Sequence, residues 1–260
     1  MIVTRSTRRR AALGAALGLL ALNPFGDLSP TVEAAAAPSE QVVAAASPAP
    51  WLTPRWNPCQ QAITYRVNID LASSTARGRA IALRDVQHAV ALTSAATGIR
   101  FRFVGTTHGV PSGPTASLRT GDVELLVAWV DPRRSTSSLL GRTSSGYADG
   151  TGGYSYHSWA TGSAAPVRAV IDRGFVVLNS TRRGAYASGF GAGITRGELL
   201  LHELGHAMGL RHSSDRRQIM FPTILRRSRA AFDRGDLAAL RLQGRPEGCI
   251  EVPNARPDLS

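Results

Sequence analysis

Apolar positions along the chain change period several times, and each change marks an element. Ile63, Tyr65 and Val67 alternate with Thr64 and Arg66, the period-two pattern of a half-buried strand. Ala82, Val86, Ala89, Val90 and Thr93 then recur at helical spacing on one face, and Gly98 is placed to end that helix. Ile99, Phe101 and Phe103 alternate again and predict a second strand. Residues 123–130 are apolar on both faces apart from Glu124, which suits a central strand covered on both sides.

The pattern weakens over residues 131–163, which are rich in glycine, serine and tyrosine. There it predicts only a short strand near Leu139, Leu140 and Gly141. Residues 167–171 and 175–178 flank Asp172-Arg173-Gly174, whose turn chemistry predicts a hairpin or a sharp bend. A glycine-rich run over residues 189–193 precedes a helix. It lacks the parallel-strand unit and the acidic residue about 20 positions on that a phosphate loop needs, so it reads as a flexible hinge. A last helix over residues 236–242 turns Leu237 and Leu240 inward and stops near Gly244. No internal repeat is present.

The ends carry no core pattern. Arg5, Arg8, Arg9 and Arg10 precede an apolar run over residues 11–22 that is too short to span a bilayer, and small residues follow at 34–37. Residues 1–36 therefore read as an export signal, of either the general or the twin-arginine kind. Residues 37–54, mostly alanine, proline and serine, read as a flexible leader. One domain is expected over residues 55–250, with a tail over 251–260. With no further long apolar run, a secreted protein with no membrane insertion after signal removal is expected.

The net charge of +12 invites a nucleic-acid reading, but all 30 basic residues are arginine and lysine is absent. In an alanine- and glycine-rich chain that points to compositional bias, and nucleic acid is not an expected partner. The cluster Arg226, Arg227 and Arg229 reads as solvated basic surface, with a bias toward acidic partners as the sharper alternative. Two cysteines, Cys59 and Cys249, stand near the two ends of the domain. In an exported chain an even count favours a disulfide, worth roughly 4–5 kcal/mol on the chain-entropy model. A zinc-binding latency thiol at Cys59 would leave Cys249 unpaired, so the disulfide is preferred.

The chemistry concentrates in residues 202–212, which read His-Glu-Leu-Gly-His-Ala-Met-Gly-Leu-Arg-His. Thr195 and Glu198, three apart ahead of an apolar run, form a capping-box pattern, so a helix should start there and reach Gly209. On that helix His202 and His206 lie one turn apart on one face and can reach one ion. Gly209 can take positive φ and reverse the chain, which brings His212 into the same site. Three protein ligands leave the fourth tetrahedral position of a zinc ion to water, the arrangement of a catalytic site. Glu203, next in sequence to His202, is placed to take a proton from water there as general base.

The same motif, with Ser213 after the third histidine and Met220-Phe221-Pro222 beyond it, resembles the metzincin zinc peptidases and within them the matrixins. The resemblance implies an α+β metzincin-like catalytic domain: a twisted mixed sheet with a long first helix, an active-site helix and a C-terminal helix. It implies one catalytic Zn2+, peptide or protein substrates and a monomer. It makes Met220 an apolar floor beneath the metal and no ligand. By the same analogy an extended peptide adds to an edge strand near Leu140 and Gly141, and Pro222, Thr223 and Ile224 wall a side-chain pocket.

Departures from the family pattern narrow this. Residues 132–138 lack the histidines and aspartates of a second zinc and calcium loop, so calcium has no identified ligand set. His88, His108 and His157 read as surface histidines. No large pro-domain fits ahead of the domain, no tyrosine follows Met220 closely, and Gly235-Asp236 stands where the matrixin pattern has two aspartates. The compact pattern resembles bacterial secreted matrixin-type peptidases and predicts a secreted zinc endopeptidase. The competing readings are an inactive secreted zinc-binding or adhesion protein, against which the intact Glu203 argues, and hydrolysis of a non-peptide amide at the same site.

Overall fold

A computed structural model describes residues 54–134, 137–160 and 167–252. The export signal, nearly all of the leader and the tail beyond residue 252 lie outside the described residues. Four of the predicted elements form where the pattern places them. Strand β1 runs over Ile63–Asn68, with Ile63, Tyr65 and Val67 buried. Helix α1 spans Ala76–Thr97. Its first turn is capped by Thr75, whose hydroxyl accepts from the Gly78 N–H at 3.0 Å, and Gly98 closes its end. The residues it buries include the predicted Ala82, Val86, Ala89, Val90 and Thr93. Strands β2 (Phe101–Thr106) and β3 (Leu125–Val130) follow, and every residue of β3 is buried.

Two short strands, β4 (Arg142–Thr143) and β5 (Gly146–Tyr147), form a separate small ribbon. The main sheet is completed by β6 (Gly150–Ala160) and β7 (Val167–Asn179) in the order β2-β1-β3-β7-β6. Pairs β1/β2, β1/β3 and β3/β7 are parallel, whereas β6 pairs with β7 antiparallel and forms the outer edge. Leu125, Val127, Trp129, Val176 and Leu178 face the main core with α1 and the later helices. Ala128, Val130, Phe175 and Val177 face a smaller cluster on the opposite side. Covering on both faces is what makes β3 and the end of β7 read as continuous apolar runs.

Two expectations fail here. Leu139, Leu140 and Gly141 form no edge strand: both leucines are buried in the smaller cluster, and the Gly141 N–H donates to Thr151 Oγ1 at 2.8 Å. The sheet edge is β6 instead. Residues 167–179 are one strand and not a hairpin. The turn-like Asp172-Arg173-Gly174 is a bulge opposite Ser155 and Tyr156, where the register shifts. Asp172 is held there by Ser155 Oγ at 2.8 Å and by His157 Nε2 at 2.8 Å, and the Gly174 N–H continues the sheet to the Glu124 carbonyl at 2.8 Å.

Helix α2 spans Arg196–Ala207 and helix α3 spans Arg234–Leu242. Leu240 is fully buried in α3 and Leu237 half-buried, as the helical period predicts. The glycine run over residues 189–193 is tied down on several sides. Gly189 N–H donates to Asp85 at 3.0 Å and Gly193 N–H to the Arg227 carbonyl at 2.8 Å, so a free hinge is not what the fold builds. A disulfide joins Cys59 to Cys249. Around it Asn57 pairs with the backbone of Ile250, and Arg55 donates to the carbonyls of Gly248 and Glu247.

Candidate metal centre

Helix α2 begins where the capping pattern places it, with Thr195 Oγ1 accepting from the Glu198 N–H at 3.3 Å. The reciprocal half of the box does not form, because the Glu198 side chain is engaged elsewhere: its Oε1 accepts from the Leu225 N–H and from Arg227 Nε. The helix is almost wholly buried and ends at Ala207, whose carbonyl accepts from the Trp56 indole at 2.9 Å. Gly209 follows at φ +97°, a conformation a side chain resists, and the chain turns back through it. That reversal brings His212 onto the face carrying His202 and His206.

The three Nε2 atoms converge. His206 lies 3.2 Å from His202 and 3.1 Å from His212, and the remaining pair is 3.3 Å apart. Two of the rings are oriented from behind by backbone carbonyls: His202 Nδ1–H donates to Ile219 O at 2.8 Å and His206 Nδ1–H to Leu210 O at 2.9 Å. With the proton on Nδ1, each of these presents a lone pair on Nε2, and lone pairs cannot bond one another. Burial, followed by the neighbouring His206, pushes His202 down to about 3; burial pushes His206 down to about 4. Both rings are therefore neutral donors over the physiological range. Nitrogens bound about 2.0–2.1 Å from one tetrahedral zinc stand ~3.3–3.4 Å apart, and the observed separations lie close to that spacing. Among the described residues this is the one cluster of three or more such ligands that could hold a metal.

Glu203 lies beside the triad, buried. Burial first, with Asp149 adding to it, raises its carboxyl to about 8, against the opposing hydrogen bond from the Gly152 N–H. The close approach of Glu203 accounts for two of the glycines of β6. Asn179 N–H donates to Asp149 O across the ladder, so positions 149, 151 and 153 face β7, while Gly150, Gly152 and Tyr154 turn their backbone groups to the open edge. A methyl at Gly152 would overlap the Glu203 backbone, and one at Gly150 would press on its carboxylate. Asp149 is itself held by Arg182 Nε at 2.8 Å and by the Tyr186 hydroxyl at 2.5 Å.

Beyond the triad, Ser213 N–H donates to Met220 O at 2.8 Å and closes the loop between them. Met220 is buried, with its sulfur against Gly205 of the motif, where a side chain would collide with it. Asp236 at the start of α3 accepts from the Ile219 N–H at 2.7 Å and the Met220 N–H at 3.2 Å, so it fixes the methionine turn directly. Pro222 and Ile224 are half-buried, and Thr223 is exposed. Leu140 and Gly141 do not join the open edge of β6, as described above.

His88, His108 and His157 stay apart from the triad, against Phe190, Asp70 and Asp172 respectively. Arg227 is not free solvated surface: its half-buried side chain pairs with the buried Glu198. Sequence reasoning marked Asp236 only by its place in the family pattern and read Arg227 as surface, and it missed Gly150, Gly152 and Asp149. Only Gly150 and Gly152 left a signal, as small residues ahead of an alternating Tyr154 and Tyr156.

The mixed sheet with an antiparallel edge strand, the buried helix and the three-histidine site form a metzincin-like α+β domain with a cluster fit for zinc. Residues 143–242 match the matrixin family model, a stretch that carries β6, β7, α2, the methionine turn and α3. The chain is matrixin-like. No curated protein matches it.

Proposed function

We propose that the protein is an exported endopeptidase that hydrolyses peptide bonds at a single zinc site held by His202, His206 and His212. These residues would hold a zinc ion, which when bound would supply a Lewis acid able to acidify water and polarise a carbonyl. Glu203 takes the proton of the attacking water at its carboxylate and returns it to the departing amine nitrogen. The Gly152 N–H keeps that carboxylate beside the triad, where burial, with Asp149 adding to it, raises its proton affinity in the metal-free protein. An extended peptide adds to the open edge of β6 through the backbone groups of Tyr154 and its neighbours. Pro222, Thr223 and Ile224 form the wall of the cleft beyond the metal.

The observation that carries the reading is the convergence of three imidazole nitrogens next to the buried Glu203 carboxyl group. A metal-holding module has no use for that acid. The export signal pattern and the Cys59–Cys249 disulfide support an extracellular location, where such a bond persists. No helix among the described residues is long and apolar enough to cross a membrane.

Cleavage of an unstructured protein by the purified chain, with and without a chelator, tests the proposal. Cleavage abolished by chelator and restored by zinc is expected. Absence of cleavage by the zinc-loaded protein across a broad peptide library would overturn it.

A further inference from the structure

The chain after the methionine turn has no secondary structure from residue 221 to 226, yet it is anchored by one side chain. Arg227 Nε donates to Glu198 Oε1 at 2.7 Å. Its other nitrogens donate to the carbonyls of Arg216 at 3.0 Å, Arg217 at 2.9 Å and Gln218 at 2.6 Å. The same Glu198 oxygen accepts from the Leu225 N–H at 3.1 Å, and Arg227 also shares a backbone bridge with Gly193. One guanidinium thus clips both ends of residues 219–226 to each other and to the first turn of α2. Glu198 lies on the same helix face as His202, one turn away. Glu198 is buried, at 1% side-chain exposure, and Arg227 is largely covered, at 13%. Glu198 Oε2 has no partner among the described residues, so all the support for this carboxylate falls on Oε1.

We infer that Arg227 is a positioning residue for substrate selection: through Glu198 it holds the cleft wall at Pro222, Thr223 and Ile224 in one preset place beside the metal helix. The inference rests on the peptidase reading for its consequence, although the anchoring itself does not. Such a wall meets the substrate side chain ready-formed, so binding loses little to ordering the loop. A lysine could reach Glu198 but not four acceptors in a fork, so Arg227→Lys should restore little.

Removing Arg227 alone leaves a buried carboxylate unpaired, and misfolding would then confuse the result. The informative variant is Arg227→Met with Glu198→Met, which replaces the pair by apolar groups. Amide hydrogen exchange on the zinc-loaded protein reads the anchoring without any substrate. Exchange at Leu225 and its neighbours should rise at least tenfold in the double variant, while residues 202–206 stay protected. On a peptide panel varied at the residue after the scissile bond, KM should rise about tenfold with a smaller change in kcat, and discrimination between side chains should shrink. Unchanged exchange over residues 221–226 in the folded, zinc-loaded double variant overturns the anchoring. Raised exchange with an unaltered KM and side-chain ranking overturns the selectivity. Failure of the unmodified protein to cleave any peptide would count against the peptidase reading alone and leave the exchange result to decide the anchoring.

Discussion

The buried Glu203 and the two helical histidines, His202 buried and His206 half-buried, are ionisable groups whose shifts oppose one another, and that opposition has a measurable result in the metal-free protein. Burial raises Glu203 from its ordinary 4.5 to about 8. The folded state therefore holds this proton more tightly than the unfolded chain, and the stability that gives is present below 4.5 and lost as pH rises through about 8. His202 and His206, pushed from 6.5 down to about 3 and about 4, give stability present above 6.5 and lost as pH falls toward those values. Chelated protein should accordingly show a denaturation midpoint that is highest between about pH 5 and 7 and declines on both sides. Glu203→Gln should remove the alkaline decline and keep the acid one. An alkaline decline that survives in the variant would mean Glu203 is not the buried acid described. The three histidines and Glu203 were legible from spacing, because a helix fixes which residues share a face. The contacts of Asp149, Asp236 and Arg227 with Glu203, Met220 and Glu198 were not, since each spans 16 or more residues and nothing local marks the partner.

Helix α2 and strand β6 meet at the glycines of β6, and that contact decides where Glu203 sits. Gly152→Ala would force a methyl into the Glu203 backbone, so the strand and helix must separate. A loss of about 1–3 kcal/mol by urea denaturation is expected, with a marked drop in peptide cleavage. Gly191→Ala, with nothing within 4 Å of the added carbon, serves as the control and should stay within about 0.5 kcal/mol. Equal stability of the two variants would show that β6 does not approach the helix so closely. Helix α1, strands β1 and β3 and the caps at Gly98 and Thr195 were readable because burial repeats at the period of each element. Strand β6 was not, because glycine and serine replace the apolar half of its alternation where the helix leaves no room for side chains. Strand β7 was split in two by the reading because a bulge and a turn call for the same residues at Asp172, Arg173 and Gly174.

Across the whole molecule, the first and last parts of the described chain are fastened together. Arg55 and Asn57 bond the backbone of residues 247–250, the disulfide reinforces them, and Trp56 caps the end of the metal helix. The cysteine pair was legible from the count alone. Its placement next to Trp56 gives it a further consequence, since the entry segment it holds contacts the turn at Gly209 that delivers His212. Sheet, helices and clamp together serve one arrangement, the convergence of three imidazole nitrogens beside the buried Glu203. The most direct measurement is zinc content and cleavage of an unstructured protein, determined side by side for the unmodified protein and Glu203→Gln. One zinc per chain in both, with turnover in the variant lower by a factor of about 10²–10⁴, is the expected result. Undiminished cleavage by a zinc-loaded Glu203→Gln protein would contradict it.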